Sequence, residues 1–291
     1  MKKFIALVLA LTLALTLTAC GSTSTAGDAT QDAAQDAAQD TAAQESAEDT
    51  TITVAASATP HAEILEQVKP ILEEQGYQLE VKVFSDYVQP NEVVESGEFD
   101  ANYFQHINYL NEFNESRGTH LVNAGSIHYE PLGIYPGAKS DLAELAKGDT
   151  IAVPNDPTNE ARALALLEAN GIITLAEGAG LTATVNDIVE NPNELEIVEI
   201  EAAQIPRMAS EVSFVVLNGN YALEAGYTSA DAVALEDAQS ESIKENFVNI
   251  IAVKEGNENL PKIQALVEAL KSETIQNYIN ETYNGSVVPF V

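Results

Sequence analysis

The stretch that decides the fold is "TIAVPNDPTNEARALALL", residues 150–167, where a short apolar run enters a polar turn and then a segment rich in Leu and Ala. We predict that Asp156 caps a helix here and that Pro157 lies in its first turn. An Asp side chain accepts the free N–H groups of a helix start, and proline has no N–H that needs an acceptor there. The stretch therefore predicts a strand, a turn and a helix, the unit from which α/β proteins are built.

Arg162 is a cation near the start of this predicted helix, where the helix dipole is positive. Such a position is unfavourable unless a negative group joins the arginine. Thr158 and Asn159 precede it at spacings that put both residues beside the arginine on the helix surface. Together, these three residues predict a binding site for a small carboxylate. On this stretch alone, an exposed arginine that pairs with Glu160, or with nothing, is an equally good interpretation.

The same alternation of β-rich and helical runs continues on both sides of this stretch. The pairs are "TITVAAS" before "HAEILEQVKPILEEQG", "LEVKVF" before "PNEVVESGE", "FDANYF" before "INYLNEFNESRG" and "SFVVLN" before "GNYALEAG", followed by the helical run "LPKIQALVEALKSETIQNYINETYNG". The Asn-Gly pair at the end of that run predicts that the helix stops there. This predicts an α/β protein with mixed, largely parallel sheets. Strand-like runs near residues 134 and 249 are the expected crossings between two lobes, with residues 51–134 and 249–291 in lobe 1 and residues 135–248 in lobe 2.

The chain opens with two lysines and an apolar run that is short for a bilayer crossing, "MKKFIALVLALTLALTLTAC". We interpret residues 1–19 as a lipoprotein signal peptide. Cys20, the only cysteine of the sequence, is then the residue that is lipid-modified after cleavage. Acyl chains such as palmitate would hold the protein at the extracytoplasmic face of the cell membrane. A single cysteine also excludes an internal disulfide.

Residues 20–50 are predicted to be a flexible acidic linker. After the cysteine, this segment has no aromatic and no basic side chain, so it cannot form a core. The formal net charge of the whole chain is −32, which argues against nucleic acid as a partner because phosphates would be repelled.

Polar and aromatic residues cluster where the predicted strands end. They are Ser57, Thr59 and His61 after the first strand, Asn102, Phe104 and His106 in the third, Asn155 to Asn159 after "IAV", and Asn218 and Tyr221 after "FVVL". In open α/β sheets, ligands bind outside the carboxyl ends of parallel strands. The sequence therefore predicts one shared crevice with an apolar body and a few convergent polar groups.

Several short motifs give the chain a resemblance to the methionine-binding lipoproteins of the NlpA family, the solute-binding components of ABC importers. These motifs are "TPHAEIL", "DYVQPNE", "DANYFQH", "VPNDPTNEARAL", "EAAQIPR", "LNGNYA", "NIIAV" and "GSVVP", in that order, and the similar region is residues 51–291. The resemblance implies a two-lobed, Venus-flytrap protein that delivers methionine to a membrane permease powered by an ATPase.

The resemblance also implies roles for particular residues. Arg162 is similar to the family arginine that takes the ligand carboxylate, preferably as a bidentate pair. Asn218 and Asn249 resemble the asparagines that orient the ammonium and carboxylate groups from the two sides of the cleft. The remaining expected ligand-binding residues are Tyr87, Phe104, His106 and Tyr129 at the thioether, together with Asn159, Tyr221 and His61, of which His61 could equally be a core or capping histidine.

The sequence departs from the family pattern at two places near the predicted crevice. Asn108 stands where many relatives have proline, and Asn246 with Phe247 stands where a Pro-Tyr pair is frequent. We expect Asn108 to alter only a helix start, whereas Phe247 could change the polarity of the pocket or the stiffness of a hinge.

Other functions stay open at this point. The ligand could be another amino acid or a dipeptide that contains methionine. A metal-delivery lipoprotein is a competing interpretation, because the four histidines, His61, His106, His120 and His128, all lie in the first half of the mature chain. None of them pairs at the i, i+4 spacing, and we expect no metal and no cofactor. The sequence has no motif for an enzyme, and a surface lipoprotein without a ligand is the last alternative.

Overall fold

The computed structural model describes residues 50–237 and 240–290, except for the side chains of residues 241–243. The predicted signal peptide, Cys20 and all of the predicted linker but its last residue lie outside the described residues.

The described residues form thirteen strands. In chain order they are β1 Thr51–Ala56, β2 Gln78–Val83, β3 Ala101–His106, β4 Leu121–Tyr129, β5 Gly133–Pro136, β6 Thr150–Pro154, β7 Thr174–Leu175, β8 Ile188–Glu190, β9 Glu196–Ile200, β10 Phe214–Leu217, β11 Ala234–Leu235, β12 Val248–Lys254 and β13 Val288–Pro289.

The helices fall between these strands. They are α1 Glu63–Glu74, α2 Gln89–Glu95, α3 Ile107–Arg117, α4 Pro157–Ala169, α5 Ile205–Met208, α6 Gly219–Glu224, α7 Glu241–Phe247, α8 Pro261–Leu270 and α9 Glu273–Tyr283. Shorter helical turns are Ala58–Ala62, Leu142–Glu144, Gly180–Thr182, Val185–Asp187, Ala202–Gln204 and Ser229–Asp231.

The strands build two larger sheets and one small hairpin-like sheet. The first sheet has the order β13-β4-β12-β3-β1-β2, and the second has the order β11-β5-β10-β6-β9. Strand β1 is parallel to both β2 and β3, and β6 is parallel to both β10 and β9. Strands β4, β5, β11, β12 and β13 pair antiparallel to their neighbours, so both larger sheets are mixed.

Each larger sheet has its own apolar core. The core of the first sheet joins β1 to α1, α8 and α9 through fully buried residues such as Ile64, Leu266 and Ile275. The core of the second sheet joins β6 and β10 to α4, with Ile151 and Leu164 fully buried. Helices therefore cover both sheets, as the alternating sequence pattern predicts.

The helix predicted after residue 156 is confirmed in detail. Asp156 is the N-cap of α4, where its Oδ1 accepts the backbone N–H of Asn159 at 3.1 Å, and Pro157 is the first helical residue. The C-terminal helical stretch is divided into α8 and α9 by a cap at Ser272, whose side chain accepts from Ile275. As predicted, the last helix stops at Asn284, which takes a left-handed conformation before Gly285.

Among the helices in the described ranges, none combines the length and the apolar character that crossing a bilayer requires.

Candidate functional site

A cavity lies where the end of β3 and the start of β12 in the first sheet meet the starts of α4 and α6, which follow strands of the second sheet. It encloses about 320 Å³, including its opening to solvent. Seven of the ten predicted ligand-binding residues line this cavity: Tyr87, Phe104, His106, Asn159, Arg162, Asn218 and Asn249. The structure therefore brings together residues from segments that are far apart in the sequence.

Sequence reasoning missed five residues that also line the cavity, which are Gln105, Tyr109, Glu130, Gly219 and Asn220. Two of them occupy sequence positions from which a place in the site could have been predicted. Glu130 directly follows the strand β4, and Asn220 lies within the quoted motif "LNGNYA", two residues after Asn218.

Arg162 is buried, with 4% of its side chain exposed, and its bidentate partner is the carboxylate of Glu236. Its Nε donates to Oε1 at 2.7 Å, and its Nη2 donates to Oε2 at 2.6 Å and to the backbone oxygen of Glu130 at 2.8 Å. Burial lowers the pKa of Arg162, but the Glu236 carboxylate more than offsets this effect, so the pKa lies above its ordinary value. The bidentate edge expected to hold a ligand carboxylate is therefore taken by a residue of the chain itself.

Glu236 accepts two further hydrogen bonds, from the last residue of β4 and from the loop that follows it. Its Oε2 accepts the hydroxyl of Tyr129 at 2.7 Å and the backbone N–H of Leu132 at 2.9 Å. Tyr129, expected at the ligand thioether, is not among the residues that line the cavity because its hydroxyl is directed at Glu236. Its aromatic ring instead lies near the guanidinium of Arg162, at 5.8 Å from Cζ to the ring centroid.

The amide of Asn159 organises the polar wall beside Arg162. Its Oδ1 accepts from Nε2 of His106 at 3.1 Å and from Nδ2 of Asn218 at 2.8 Å. Since Nδ1 of His106 accepts the backbone N–H of Tyr109 at 3.0 Å, the proton of the neutral ring lies on Nε2. The pKa of His106 is lowered to about 3, mainly by burial and to a smaller extent by the positive charge of Arg162. This histidine is therefore neutral at pH 7. Asn218 Oδ1 has no hydrogen-bond partner within the described part of the chain and offers a free acceptor.

Behind the cavity, Glu130 joins two buried histidines. Its Oε1 lies 2.7 Å from Nε2 of His128 and 3.3 Å from Nε2 of His61, and His128 is also hydrogen-bonded to the hydroxyl of Tyr103. Nε2 of His61 is 3.0 Å from Oδ1 of Asn249, so His61 supports a cavity residue without lining the cavity itself.

Burial dominates the electrostatics of this group. It lowers the pKa of His61 to about 4 and that of His128 to about 3, so both rings are neutral at pH 7. Burial also raises the pKa of Glu130, although His61 and Arg162 act in the opposite direction. Neutral N–H donors and a single carboxylate are a stable combination in an interior that excludes water.

The same three residues are the candidate metal ligands of the described chain. The ligand atoms of His61, His128 and Glu130 all lie within 4.8 Å of one another. Nε2 of His128 is hydrogen-bonded to Glu130 and Nε2 of His61 is hydrogen-bonded to Asn249, so a metal ion bound by these nitrogens would have to displace the protons of both bonds. The arrangement fits a hydrogen-bonded support for Glu130 better than an ion cage.

Aromatic rings form the other end of the cavity. The ring of Tyr87 lies 5.6 Å from that of Phe104, 5.7 Å from that of Tyr109 and 5.0 Å from that of Tyr221. Tyr221 does not line this cavity but borders a second, more open one of about 1,300 Å³, and its hydroxyl donates to the backbone oxygen of Ser85 at 3.2 Å. The cavity thus has an aromatic end and a polar end.

The two departures from the family pattern lie close to these groups. Phe247 is buried and packs its ring 4.3 Å from Cζ of Arg162 and 5.1 Å from the ring of His106. It covers the guanidinium with an apolar face, which favours the cation through its ring electrons. Asn108 is the second residue of α3, consistent with an effect on a helix start alone.

The mixed α/β sheets, with a cavity at their shared edge, define a two-lobed periplasmic-binding-protein fold. A family model described as NlpA lipoprotein matches residues 52–291. The chain is 42% identical over 244 residues to the methionine-binding lipoprotein MetQ of Bacillus subtilis, which covers 82% of this chain and 87% of the relative. The chain belongs to the NlpA lipoprotein family, as the sequence motifs indicated.

Solved structures agree with this assignment. A lipoprotein from Ruminococcus gnavus is 70% identical, with a TM-score of 0.82 over 83% of this chain and 100% of that chain. A nutrient-binding protein from Burkholderia cenocepacia, solved with bound methionine, is 41% identical, with a TM-score of 0.78 over 82% of this chain and 100% of that chain.

Proposed function

We propose that this protein is a lipid-anchored, extracytoplasmic substrate-binding protein that captures methionine and delivers it to an ABC importer. The observation that carries the proposal is the cavity itself, which is lined both by aromatic rings and by charged and amide side chains. Charged and amide groups beside aromatic rings suit the ionised groups and the side chain of a single amino acid.

The relatives support methionine as the amino acid. The Bacillus subtilis relative is named a methionine-binding lipoprotein, and the Burkholderia cenocepacia neighbour was solved with methionine bound. Aromatic rings also suit a thioether physically, because a polarisable sulfur near a ring edge contributes roughly 0.3–1.5 kcal/mol per contact.

The ligand carboxylate is proposed to bind at the polar end, on Arg162. Nε and Nη2 of Arg162 already donate to Glu236 and to the backbone oxygen of Glu130. The ligand carboxylate would therefore accept from Nη1, which donates to neither of these residues. A single charge-assisted hydrogen bond would then replace the bidentate pair that the sequence suggests.

The ligand ammonium is proposed to bind at Glu130 and Asn218. Glu130 lines the cavity, and the free Oδ1 of Asn218 is a second acceptor there. A bound ammonium would favour the ionised form of Glu130 and so reverse the effect of burial on its pKa. Asn249, held by His61, is the residue proposed to fix the ligand from the first sheet.

The cleft is proposed to close by movement of two lobes, with residues 51–134 and 249–291 in lobe 1 and residues 135–248 in lobe 2. Two hydrogen bonds join segments assigned to the two lobes, one from the hydroxyl of Tyr87 to Asn220 and one from the hydroxyl of Tyr221 to the backbone of Ser85. Closure would exclude water and strengthen every charged contact in the cavity, and the permease would recognise the closed form.

The anchor and the transport partners complete the proposal. Residues 1–19 would be removed as the signal peptide, Cys20 would carry the lipid, and residues 20–50 would tether the folded part to the membrane. Incorporation of labelled palmitate into the wild-type chain, but not into Cys20→Ser, tests the anchor. The permease and its ATPase are the proposed protein partners, and no cofactor, metal or catalytic step is part of the proposal.

Isothermal titration calorimetry on the chain, unfolded and refolded to remove co-purified ligand, tests the binding function. The ligands are L-methionine, D-methionine, Gly-Met and L-leucine, with chelator added in a parallel series. We expect saturable one-to-one binding of a methionine-type amino acid, unaffected by the chelator. Tighter binding of Gly-Met would change the ligand to a dipeptide, and binding that requires a metal would favour the metal-delivery alternative.

A further inference from the structure

Gly219 is a cavity residue whose identity the local backbone does not explain. It is buried, it lines the cavity and it is the first residue of α6. Its backbone lies outside the left-handed region, so a residue with a side chain could adopt the same conformation. Alanine is the better residue in a helix, because glycine loses more conformational freedom on folding. The missing side chain therefore serves a contact outside the helix.

The space that a side chain would take at Gly219 is occupied by Glu130. A Cβ added to Gly219 would lie 2.7 Å from Cβ of Glu130 and 2.7 Å from its Oε2. Favourable contacts between non-bonded carbon atoms need about 3.5–4.0 Å, so these atoms would collide. Glu130 cannot simply withdraw, since its Cβ is bonded to the backbone and its backbone oxygen accepts from Nη2 of Arg162 at 2.8 Å.

The close approach gives the Glu130 carboxylate two hydrogen-bond donors. One is the backbone N–H of Asn220, the residue after Gly219. The other is Nε2 of His128, which lies 2.7 Å from Oε1. Glu130 and Gly219 both line the cavity, and only 5% of the Glu130 side chain is exposed. A carboxylate held in this way at a cavity wall suits a cationic group of the ligand.

We propose that Gly219 is a positioning residue for the ammonium group of the ligand, because its missing side chain lets the carboxylate of Glu130 lie against the start of α6 and face the cavity. The inference rests on the proposed amino acid-binding function. It adds that the preference for a ligand with a free ammonium depends on a residue that has no side chain to offer the ligand.

Two ligands that differ only in the ammonium group measure this role: L-methionine and 4-(methylthio)butanoate, which has a hydrogen in place of the ammonium. Calorimetry on the full chain in detergent, after removal of co-purified ligand, gives the two affinities and their ratio. In the wild-type chain we expect methionine to bind more tightly by about tenfold or more, the scale of one hydrogen bond to a charged group. In Gly219→Ala the carboxylate is displaced, so this ratio should fall by about tenfold.

Gly125→Ala is the matched control. Gly125 lies in β4, and a Cβ added there would be 2.5 Å from Cγ1 of Val267, which belongs to the core of the first sheet and does not line the cavity. The same substitution thus causes a similar collision away from the ligand. General loosening of the fold lowers both affinities in either variant, whereas only Gly219→Ala should change their ratio.

Glu130→Gln shows whether the ratio depends on the carboxylate. Glutamine keeps the shape and removes the charge, so the ratio should be low, and Gly219→Ala added to this variant should change it by less than about twofold. A measurement of stability covers the case in which Gly219→Ala alone does not fold, as judged by circular dichroism. The pair Gly219→Ala with Glu130→Gly removes the three atoms nearest to the added Cβ, so its urea midpoint should equal that of Glu130→Gly alone. A pair that is less stable than Glu130→Gly overturns the inference.

The outcomes separate this inference from the proposed function. A ratio in folded Gly219→Ala that stays within about twofold of wild type overturns the inference, and so does an equal fall in Gly125→Ala. Equal affinities of the wild-type chain for the two ligands overturn it as well. In each case, retained binding of methionine leaves the proposed function in place. If the folded wild-type chain binds neither ligand, the proposed function fails, and this inference fails with it.

Discussion

Replacement of Glu236 by glutamine should destabilise the protein strongly, although the two side chains have the same shape. The carboxylate accepts four hydrogen bonds, two from Arg162 and one each from Tyr129 and Leu132. A glutamine whose oxygen stays at the Oε2 position would turn an NH₂ group toward Nε of Arg162. Two donors would then face each other in a site that excludes water.

The size of the effect follows from burial. Arg162 and Glu236 have only 4% and 6% of their side chains exposed, so solvent screens this pair little. Removal of one partner from a buried ion pair typically costs about 3–5 kcal/mol, because the other charge stays buried without compensation. We expect Glu236→Gln to lower the free energy of unfolding by about 3–5 kcal/mol.

Urea unfolding followed by circular dichroism measures this change, with the midpoint and the slope compared between wild type and variant. Glu194→Gln is the matched control, because Glu194 pairs with Lys147 on the surface, where the side chains are 66% and 74% exposed. A surface pair of this kind contributes roughly 0–1 kcal/mol. If Glu236→Gln costs no more than Glu194→Gln, the claim that Glu236 neutralises the buried arginine is refuted.

Three further predictions concern binding and pH. Arg162→Ala should weaken L-methionine binding by about 2–5 kcal/mol, the scale for loss of a buried charged partner, and calorimetry that finds the affinity within threefold of wild type would remove Arg162 from the site. Tyr87→Phe should bind L-methionine less tightly because the closed cleft loses its bond to Asn220, and faster release in stopped-flow displacement, with little change in association, is the expected signature. Below pH 6.5 the protein should lose stability, because His61, His106 and His128 take up protons in the unfolded chain before they do so in the folded one. The loss should approach about 1.4 kcal/mol per histidine per pH unit. Glu130, whose pKa burial raises, partly offsets it above pH 4.5 because the folded protein takes up that proton before the unfolded chain does. Urea midpoints that stay constant from about pH 7 to pH 5 would contradict this prediction.

The sequence was sufficient to predict the elements that depend on local chemistry. The Asp156 cap, the Pro157 start of α4 and the stop at Asn284 each follow from one or two residues, and the structure has all three. The family assignment follows from motifs and is confirmed by the family match. Mixed sheets were also predicted. Which strands pair antiparallel was not, because the pairs of β12 with β3 and β4 depend on how the chain crosses between the sheets.

The sequence was insufficient where a contact joins distant segments. Glu236 is 74 residues from Arg162 along the chain, beside a second acidic residue, Asp237, and nothing local distinguishes it as the partner of the arginine. Likewise, Glu130 gains its role from His61, which is 69 positions away in a different segment. Tyr129 was expected at the ligand thioether from the family resemblance, yet its hydroxyl donates to Glu236 instead.

The proposed placement of the ligand is a single amino acid in the cavity, with its carboxylate at Arg162 and its sulfur among the aromatic rings. Crystals of the protein with L-selenomethionine test it most directly, because the anomalous signal of selenium locates the side chain independently of the protein model. We expect one selenium peak in the space bounded by Tyr87, Phe104 and Tyr109, with density for the carboxylate at Nη1 of Arg162. A selenium peak beside Arg162, or in the second cavity next to Tyr221, would contradict the account.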